Sequence, residues 1–227
     1  MKRIGLIGGT SWPSTIEYYR LLNQITTEKL GGYHSANLML YSIDYHEIKS
    51  NYTGGWDKIP ALLKKEINTI LASPCDCLIL CNNTLHKAFD TIQPELNLQI
   101  PFFHAVDLTG QFAVKKRLKK LLLLGTKFTM EDGFFSRKLE ALGLEVTIPI
   151  EEERNHIQSI QTILAQNIIK AEHIEYFQTF LGHYSHLDAV ILACTELPLA
   201  ITAKNSKLPI INPIELQCNA AMDFALR

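Results

Sequence analysis

The stretch that decides the fold is residues 76–84, DCLILCNNT. The run from Cys77 to Cys81 is almost wholly apolar, which is typical of a parallel strand covered on both faces. A polar cluster, Asn82–Thr84, follows it at once. Residues 188–196, DAVILACTE, repeat the same order of an acidic residue, a buried strand and a polar cluster. This repeat predicts that the chain has two similar halves, each built around one such strand.

Strands and helices alternate on either side of these two runs. Residues 2–7 and 119–124 are apolar runs that each end at a glycine, and they align as the first strands of the two halves. Further strands are predicted at 37–43, 144–148 and 209–211, and helices up to residue 30 and at 56–71, 85–92, 131–142, 155–181 and 214–226. This alternation predicts an α/β fold with parallel sheets and right-handed crossovers.

The two halves are expected to form two lobes that face each other. We assign residues 1–98 and 210–227 to the first lobe and residues 99–209 to the second. Ligands of parallel sheets bind beyond the carboxyl ends of the strands, which is where both polar clusters lie. The sequence therefore predicts an active-site cleft between the lobes.

The composition is that of an ordinary globular protein. Of 227 residues, 47% are hydrophobic and 20% are charged, which rules out general disorder. The 22 Lys and Arg nearly balance the 23 Asp and Glu. A chain without a broad basic field is not expected to bind nucleic acid or a membrane surface, whereas a small neutral or zwitterionic ligand fits. No apolar run approaches the ~20 residues of a membrane helix.

The cysteines and histidines bear on compartment and metal binding. The number of cysteines, five, is odd, and no CxxC pair is present, which argues against a disulfide framework and a zinc site. Glycines and a proline soon after Ile7 interrupt any export signal, so we expect a cytoplasmic protein. The histidines are scattered and give no metal-binding pattern. His86 is interpreted as a polar helix residue in preference to a proton carrier.

Cys194 is the residue best placed for chemistry. It follows a buried strand and precedes a helix or turn, where free backbone N–H groups are expected to lower the pKa of its thiol from about 8.5 toward neutrality. The resulting thiolate would be a base or a nucleophile. The alternative is that Cys194 is an inert core residue, because cysteine is among the most buried residue types.

Asn82 occupies the position in the first half that corresponds to Cys194 in the second. With Asn83 and Thr84 it can supply hydrogen bonds to a carboxylate, and a helix-capping cluster is the alternative. Cys81 lies one residue earlier. Because neighbours on a strand point to opposite faces, Cys81 should face the core.

Six segments spread along nearly the whole chain form a specific pattern. They are Gly5–Trp12, Tyr18–Asn23, Asp44–Ile48, Trp56–Lys58, Leu123–Met130 and Ala193–Leu197. This pattern resembles the aspartate/glutamate racemases, a cysteine-based family that needs no cofactor, and especially its bacterial broad-specificity and L-specific members. The resemblance implies two pseudo-symmetric flavodoxin-like lobes, a homodimer, a small amino-acid substrate, and neither pyridoxal phosphate (PLP) nor a metal.

The resemblance also implies a two-base reaction. One thiolate removes the Cα proton from one face of the substrate, and a thiol on the other face returns a proton. Two pseudo-symmetric lobes suit this reaction, because inversion needs an acid and a base on opposite sides of one carbon. The catalytic positions of the family correspond to Cys194 and Asn82. The residues expected to bind the substrate are Thr10, Ser11, Asn83, Thr84, Thr195 and Glu196.

The chain departs from the family pattern at three positions. The family motif Cys-Asn-Thr-x-His is here Asn82–His86, so an asparagine, which cannot exchange protons as a thiol does, fills the first-base position. His156 stands where members carry a lysine that helps to bind the substrate. The region Asn51–Thr53 lacks an arginine that many members carry. All three changes affect substrate charge or proton transfer, so a racemase of this sequence is expected to be impaired or one-directional.

Three functions remain open on the sequence alone. The first is a PLP-independent racemase, an isomerase that acts on acidic amino acids or their derivatives with Cys194 as its main acid or base. The second is a single-cysteine enzyme similar to arylmalonate decarboxylases, which needs only that one thiol. The third is a non-catalytic protein that binds amino acids. A two-thiol mechanism would return if Cys81, and not Asn82, faced the substrate.

Overall fold

Two parallel sheets organise the chain, and the computed structural model describes all of its residues, 1–227. The sheets belong to two units. The first contains Met1–Ala105 and Ile214–Arg227, and the second contains Val106–Pro213. All strand pairs are parallel, as expected where helices connect successive strands. The predicted α/β class with two parallel sheets is confirmed.

The first unit opens with seven regular elements. They are β1 (Ile4–Gly8), α1 (Trp12–Leu30), β2 (Leu38–Ser42), α2 (His46–Ser50), α3 (Ile59–Leu71), β3 (Cys77–Leu80) and α4 (His86–Ile92). The strands pair in the order β2-β1-β3. Pro13 in the first turn of α1 suits a helix start, because its ring presets φ and its missing N–H is not needed there.

Alternate residues of β3 enter two different cores. Leu78 and Leu80 pack in one cluster with residues of α3 and α4, whereas Cys77 and Ile79, together with Cys81 directly after the strand, pack in the other with residues of α1. This alternation is the period of two that a strand imposes. The prediction that Cys81 faces the core is confirmed.

The second unit contains nine regular elements. They are α5 (Ala105–Lys115), β4 (Lys120–Leu124), α6 (Lys127–Glu131), α7 (Phe134–Glu140), β5 (Glu145–Thr147), α8 (Glu151–Leu164), α9 (Ala171–His183), β6 (Ala189–Leu192) and β7 (Ile210–Ile211). The strands pair in the order β5-β4-β6-β7. The chain then returns to the first unit through α10 (Pro213–Ala225), whose Cys218 and Met222 join the core that contains Cys81.

The limits of the two units differ from those assigned on the sequence. Leu78 donates its N–H to Pro101 O at 2.9 Å and accepts from Phe103 N–H at 3.0 Å, and these bonds keep residues 99–105 with the first sheet. Ile210 pairs with Val190 of β6, so residues 210–213 belong to the second unit. Hydrogen bonds that periodicity does not reveal account for both differences.

The repeat is visible in the strand register. Ile4 lies opposite Cys77 in the first sheet, and Leu121 lies opposite Ala189 in the second. The predicted alignment places residues 2–8 over 119–125 and residues 76–84 over 188–196. It therefore matches Ile4 with Leu121 and Cys77 with Ala189, in agreement with the two registers.

The acidic residue before each buried strand also has the same role in both units. Asp76 accepts from the N–H of Arg3 at 2.6 Å, and Asp188 accepts from that of Lys119 at 2.6 Å. Each carboxylate thus ties its strand to the start of the neighbouring one. Asn82 and Cys194 consequently hold equivalent places, one in each unit. No helix combines the length and the apolarity that crossing a bilayer requires.

Candidate active site

Cys194 lies just beyond β6, in a turn that leads into a short 3-10 helix, Leu197–Leu199. The residue is 6% exposed. Its Sγ–H donates a hydrogen bond to Oε2 of Glu196 at 2.7 Å, and Glu196 is itself 8% exposed. The thiol and the carboxylate therefore form a buried pair within a single turn.

The pKa of the Cys194 thiol is raised well above its usual value. Burial is the largest cause and the negative charge of Glu196 is the next. The expectation that a helix N-terminus lowers this pKa is wrong, because no α-helix starts here and the nearest charge is negative. Both effects favour the neutral form, so the side chain is a protonated thiol near neutral pH.

Two glutamines of α8 lie beside this pair, and no pattern in the sequence predicts them there. Gln161 forms a hydrogen bond to the Cys194 side chain that opposes the rise in pKa. Gln158 donates from Nε2 to Oε1 of Gln161 at 2.8 Å and accepts from the N–H of Lys127 at 2.8 Å. Their spacing of three residues places both on one helix face, but that spacing alone does not indicate a partner in a distant turn.

In the first unit, Asn82 uses its side chain to hold the turn after β3. Oδ1 accepts from the N–H of Leu85 at 2.9 Å, and Nδ2 lies 3.4 Å from the hydroxyl of Tyr45. The predicted capping role is therefore filled by Oδ1, whereas Nδ2 faces Tyr45. Asn82 is half-buried and carries no group that titrates in water.

Asn83 is different, because its amide is buried without a partner. The residue is 6% exposed, and neither Oδ1 nor Nδ2 makes a hydrogen bond. Leaving a buried polar group unpaired costs roughly 1–3 kcal/mol, and such groups in native proteins call for an explanation. An amide held in this way is suited to a ligand that supplies the missing partners.

Thr10 and Ser11 lie in the turn between β1 and α1. Thr10 is buried, and its hydroxyl donates to the backbone carbonyl of Cys81 at 3.0 Å, which places it beside the turn after β3. Ser11 precedes α1 and is half-buried; its carbonyl accepts from the N–H and the hydroxyl of Thr15. The Thr10 hydroxyl is therefore committed to the fold.

Two tyrosines beside Asn82 were not selected from the sequence. The hydroxyls of Tyr45 and Tyr52 lie 2.5 Å apart, and the Thr84 side chain bonds to Tyr52. Burial raises the pKa of both phenols. Tyr52 belongs to the region 51–53, where an arginine was missing from the family pattern.

The remaining predicted residues are placed as follows. Thr195 is half-buried between Cys194 and Glu196. His156, which stands where family members carry a substrate-binding lysine, is exposed on α8. Its ring lies 4.4 Å from that of Tyr176. No group of three or more His, Cys, Asp or Glu side chains is arranged to hold a metal ion.

Comparison with known proteins places these features in a family. The family model described as Asp/Glu/Hydantoin racemase matches residues 7–221. The broad-specificity amino-acid racemase RacX of Bacillus subtilis is 29% identical over 175 residues, which cover 75% of this chain and 69% of RacX.

Two solved structures match 100% of this chain and 100% of their own. A candidate Asp/Glu racemase from Yersinia pestis is 34% identical with a TM-score of 0.89, and an aspartate racemase homologue from Pyrococcus horikoshii is 32% identical with a TM-score of 0.88. The resemblance drawn from the six sequence segments is thereby confirmed: the racemase relatives point to an isomerase, and the chain belongs to the Asp/Glu/Hydantoin racemase family.

Proposed function

We propose that this protein is a PLP-independent amino-acid racemase in which Cys194 is the one side chain that exchanges the Cα proton. Family membership and racemase relatives support the isomerase class. The relatives reported above are racemases, so the decarboxylase alternative is not favoured. The observation that carries the assignment of the residue is the 2.7 Å contact between Cys194 Sγ and Glu196 Oε2.

The proposed chemistry follows from the protonation state of this pair. As a thiol, Cys194 can give its proton to a planar carbanion at Cα, and the S–H electrons stay on sulfur. To act as a base it must first lose that proton, and the Glu196 carboxylate at 2.7 Å is the acceptor within reach. The thiolate then takes the Cα proton, while the C–H electron pair passes into the substrate carboxylate.

Asn82 makes the reaction unequal for the two enantiomers. It stands where the first unit would need a second thiol, and an amide does not titrate near neutral pH, so it acts there as neither an acid nor a base. Cys194 alone can therefore protonate or deprotonate only one face of Cα. The racemase should therefore be impaired or one-directional, because protonation of the opposite face of Cα depends on water.

The proposed substrate class is acidic amino acids or their derivatives. The unpaired amide of Asn83 supports binding of the α-carboxylate, which would accept from Nδ2. Ser11, Thr84 and Thr195 are proposed to assist, and Thr10 to contribute through the backbone of its turn. A homodimer in the cytoplasm is also proposed; five unpaired cysteines suit a reducing compartment.

Exchange of the Cα proton in heavy water tests the function. The protein is incubated with single enantiomers of aspartate, glutamate and neutral amino acids; NMR follows deuteration at Cα and chiral chromatography follows inversion. We expect deuteration that is faster for one enantiomer. Cys194→Ala should abolish exchange and leave ligand binding measurable by calorimetry. Cys75→Ser is the matched control, because Cys75 is a half-exposed cysteine of the first unit and should not affect exchange. Absence of exchange for all amino acids would overturn the proposal.

A further inference from the structure

His86 is fully buried on α4, and both of its ring nitrogens are hydrogen-bonded. Nε2 lies 3.1 Å from the backbone nitrogen of Ala105, and Nδ1 lies 2.8 Å from the carbonyl oxygen of Asn82. A backbone N–H can only donate, so Nε2 must be an unprotonated acceptor. Nδ1 therefore carries the proton and donates it to Asn82. The two contacts together select one neutral tautomer.

The backbone of His86 adds a third contact to the same turn. Its N–H donates to the carbonyl of Asn83 at 3.3 Å. His86 thus binds the carbonyls of both Asn82 and Asn83. These two hydrogen bonds hold the backbone on either side of the Asn83 Cα, from which the unpaired amide side chain extends. An unpaired buried amide cannot orient itself through its own hydrogen bonds, so its direction depends on how firmly this backbone is held.

A buried polar network fixes the imidazole from the opposite side. Gln217 of α10 places Nε2 3.4 Å from Nε2 of His86 and donates to Phe103 O at 2.7 Å. Tyr18 of α1 donates to Oε1 of Gln217 at 2.6 Å. The first unit therefore uses α1 and α10 to hold the imidazole.

The nearest titratable groups act on the imidazole in opposite directions: His104 lowers the pKa of His86, and Asp90 raises it. The His104 ring lies 4.4 Å away, and Asp90 on α4 pairs with His104 at 3.2 Å. Tyr18 reaches the imidazole through Gln217, and burial raises the pKa of its phenol well above its usual value. The pKa of His86 lies well below its usual value. Burial is the largest cause, and electrostatic repulsion by His104 is the next.

We propose that His86 is a positioning residue, which as a neutral Nδ1–H imidazole orients the Asn82–Asn83 turn for substrate and ties it to Ala105. The role concerns the backbone of the turn, not proton transfer. It rests on the proposed function only in treating Asn83 as a substrate-binding residue. The state of the ring itself can be measured without any substrate.

The first experiment measures the tautomer by 15N NMR of the histidine side chains of the intact wild-type protein between pH 5 and 8. His86→Gln identifies the His86 signal by its loss. We expect a protonated Nδ1, an unprotonated Nε2, and no titration of this ring across the range. A protonated Nε2, or titration near pH ~6.5 as in an ordinary histidine, would overturn the proposal.

The second experiment separates positioning from packing with two variants. His86→Asn keeps an amide donor near Nδ1 for Asn82 O, whereas His86→Gln keeps an acceptor near Nε2 for Ala105 N–H. We expect His86→Gln to raise KM, or the Kd measured by calorimetry, about tenfold, and His86→Asn to change it much less, because one hydrogen bond to the turn is lost in only the first. Equal ligand affinity in both variants and the wild type would show a purely structural role and refute the proposal.

Failure of the proposed function has a different signature. A wild-type protein that neither exchanges Cα protons nor binds amino acids would remove the racemase assignment. The tautomer measurement would still determine the protonation state of His86, because it needs no substrate. Urea unfolding of the two variants establishes that each is folded.

Discussion

At the residue scale, the most informative contact is the one between Cys194 and Glu196. A thiol near an α-helix N-terminus is acidic, but this thiol has a carboxylate 2.7 Å away and 6% exposure. The difference lies in the two residues that follow Cys194 in the turn, Thr195 and Glu196. A change of one side chain in this turn should therefore alter the state of the sulfur more than a change in the strand.

Replacement of Glu196 by Gln should lower the pKa of the Cys194 thiol. The carboxylate raises this pKa by repelling a second negative charge, and the amide removes that repulsion and can donate to a thiolate. At a fixed pH near 8 the thiolate fraction should rise, and alkylation of Cys194 by iodoacetamide, followed by peptide mass spectrometry, should be several-fold faster.

Glu196→Asp is the matched control because it keeps the charge. Its alkylation rate should remain close to that of the wild type. Slower alkylation in Glu196→Gln than in the wild type would contradict the electrostatic explanation.

At the element scale, the turn from β1 to α1 positions Thr10 and Ser11, and Gly9 makes it feasible. Gly9 has φ of +81°, and a Cβ there would lie 2.2 Å from Ile43 O. The N–H of Gly9 donates to Thr15 Oγ1 at 2.9 Å, which closes the turn on the helix. A side chain at this position meets both a backbone clash and an unfavourable dihedral.

Gly9→Ala should destabilise the protein more than Gly54→Ala. Gly54 has a similar φ of +78°, but a Cβ there meets nothing within 4 Å, so its variant isolates the cost of the dihedral, about 1–2 kcal/mol. The extra loss in Gly9→Ala measures the clash with Ile43. Urea unfolding at pH 7 measures the free energy of unfolding of each variant. Equal losses of stability in the two variants would contradict the prediction, because they would show that the turn relaxes to avoid the clash with Ile43.

The elements differ in how well the sequence predicted them. All seven strands lie within the predicted runs, apart from Gly8 at the end of β1, because buried parallel strands are short apolar runs with clear ends. Helix α5 had no prediction. Val106, Thr109 and Gly110 weaken helix propensity there, and packing decides instead: a Cβ on Gly110 would lie 2.4 Å from Leu142 Cδ1.

The site was predicted in part, for physical reasons. The alignment of the two halves selected Cys194 and Asn82, and Glu196 was selected as a substrate ligand. The contact between Glu196 and the thiol depends on the shape of a turn, and the Gln161 contact joins residues 33 positions apart in the chain. Neither type of contact leaves a periodic signal in a sequence.

At the scale of the whole molecule, folding stability should depend on pH through His86. Burial lowers the pKa of this imidazole in the folded protein, whereas the unfolded residue titrates near ~6.5. Below pH ~6.5 the unfolded chain therefore binds a proton that the folded chain does not. The contribution of neutral His86 to stability is complete above that pH and is lost as the pH falls.

The expected decline in the free energy of unfolding below pH ~6 is up to ~1.4 kcal/mol per pH unit from this group. Because the chain has eight histidines, the wild-type curve is compared with that of His86→Gln, which lacks only this one. Urea unfolding from pH 5 to 8 should show the two curves converging toward acid pH. Parallel curves would exclude His86 as the source.

The buried pairing of Cys194 with Glu196 also bears on chemical durability. Peroxide and electrophilic drugs attack the thiolate form of cysteine, and oxidation to a sulfenic acid follows the same preference. A sulfur kept protonated by burial and by the Glu196 carboxylate reacts slowly with such reagents. The sulfur of Cys194 should consequently resist oxidation, and covalent inhibitors directed at it should be poorer leads than compounds that form hydrogen bonds with the Asn83 amide.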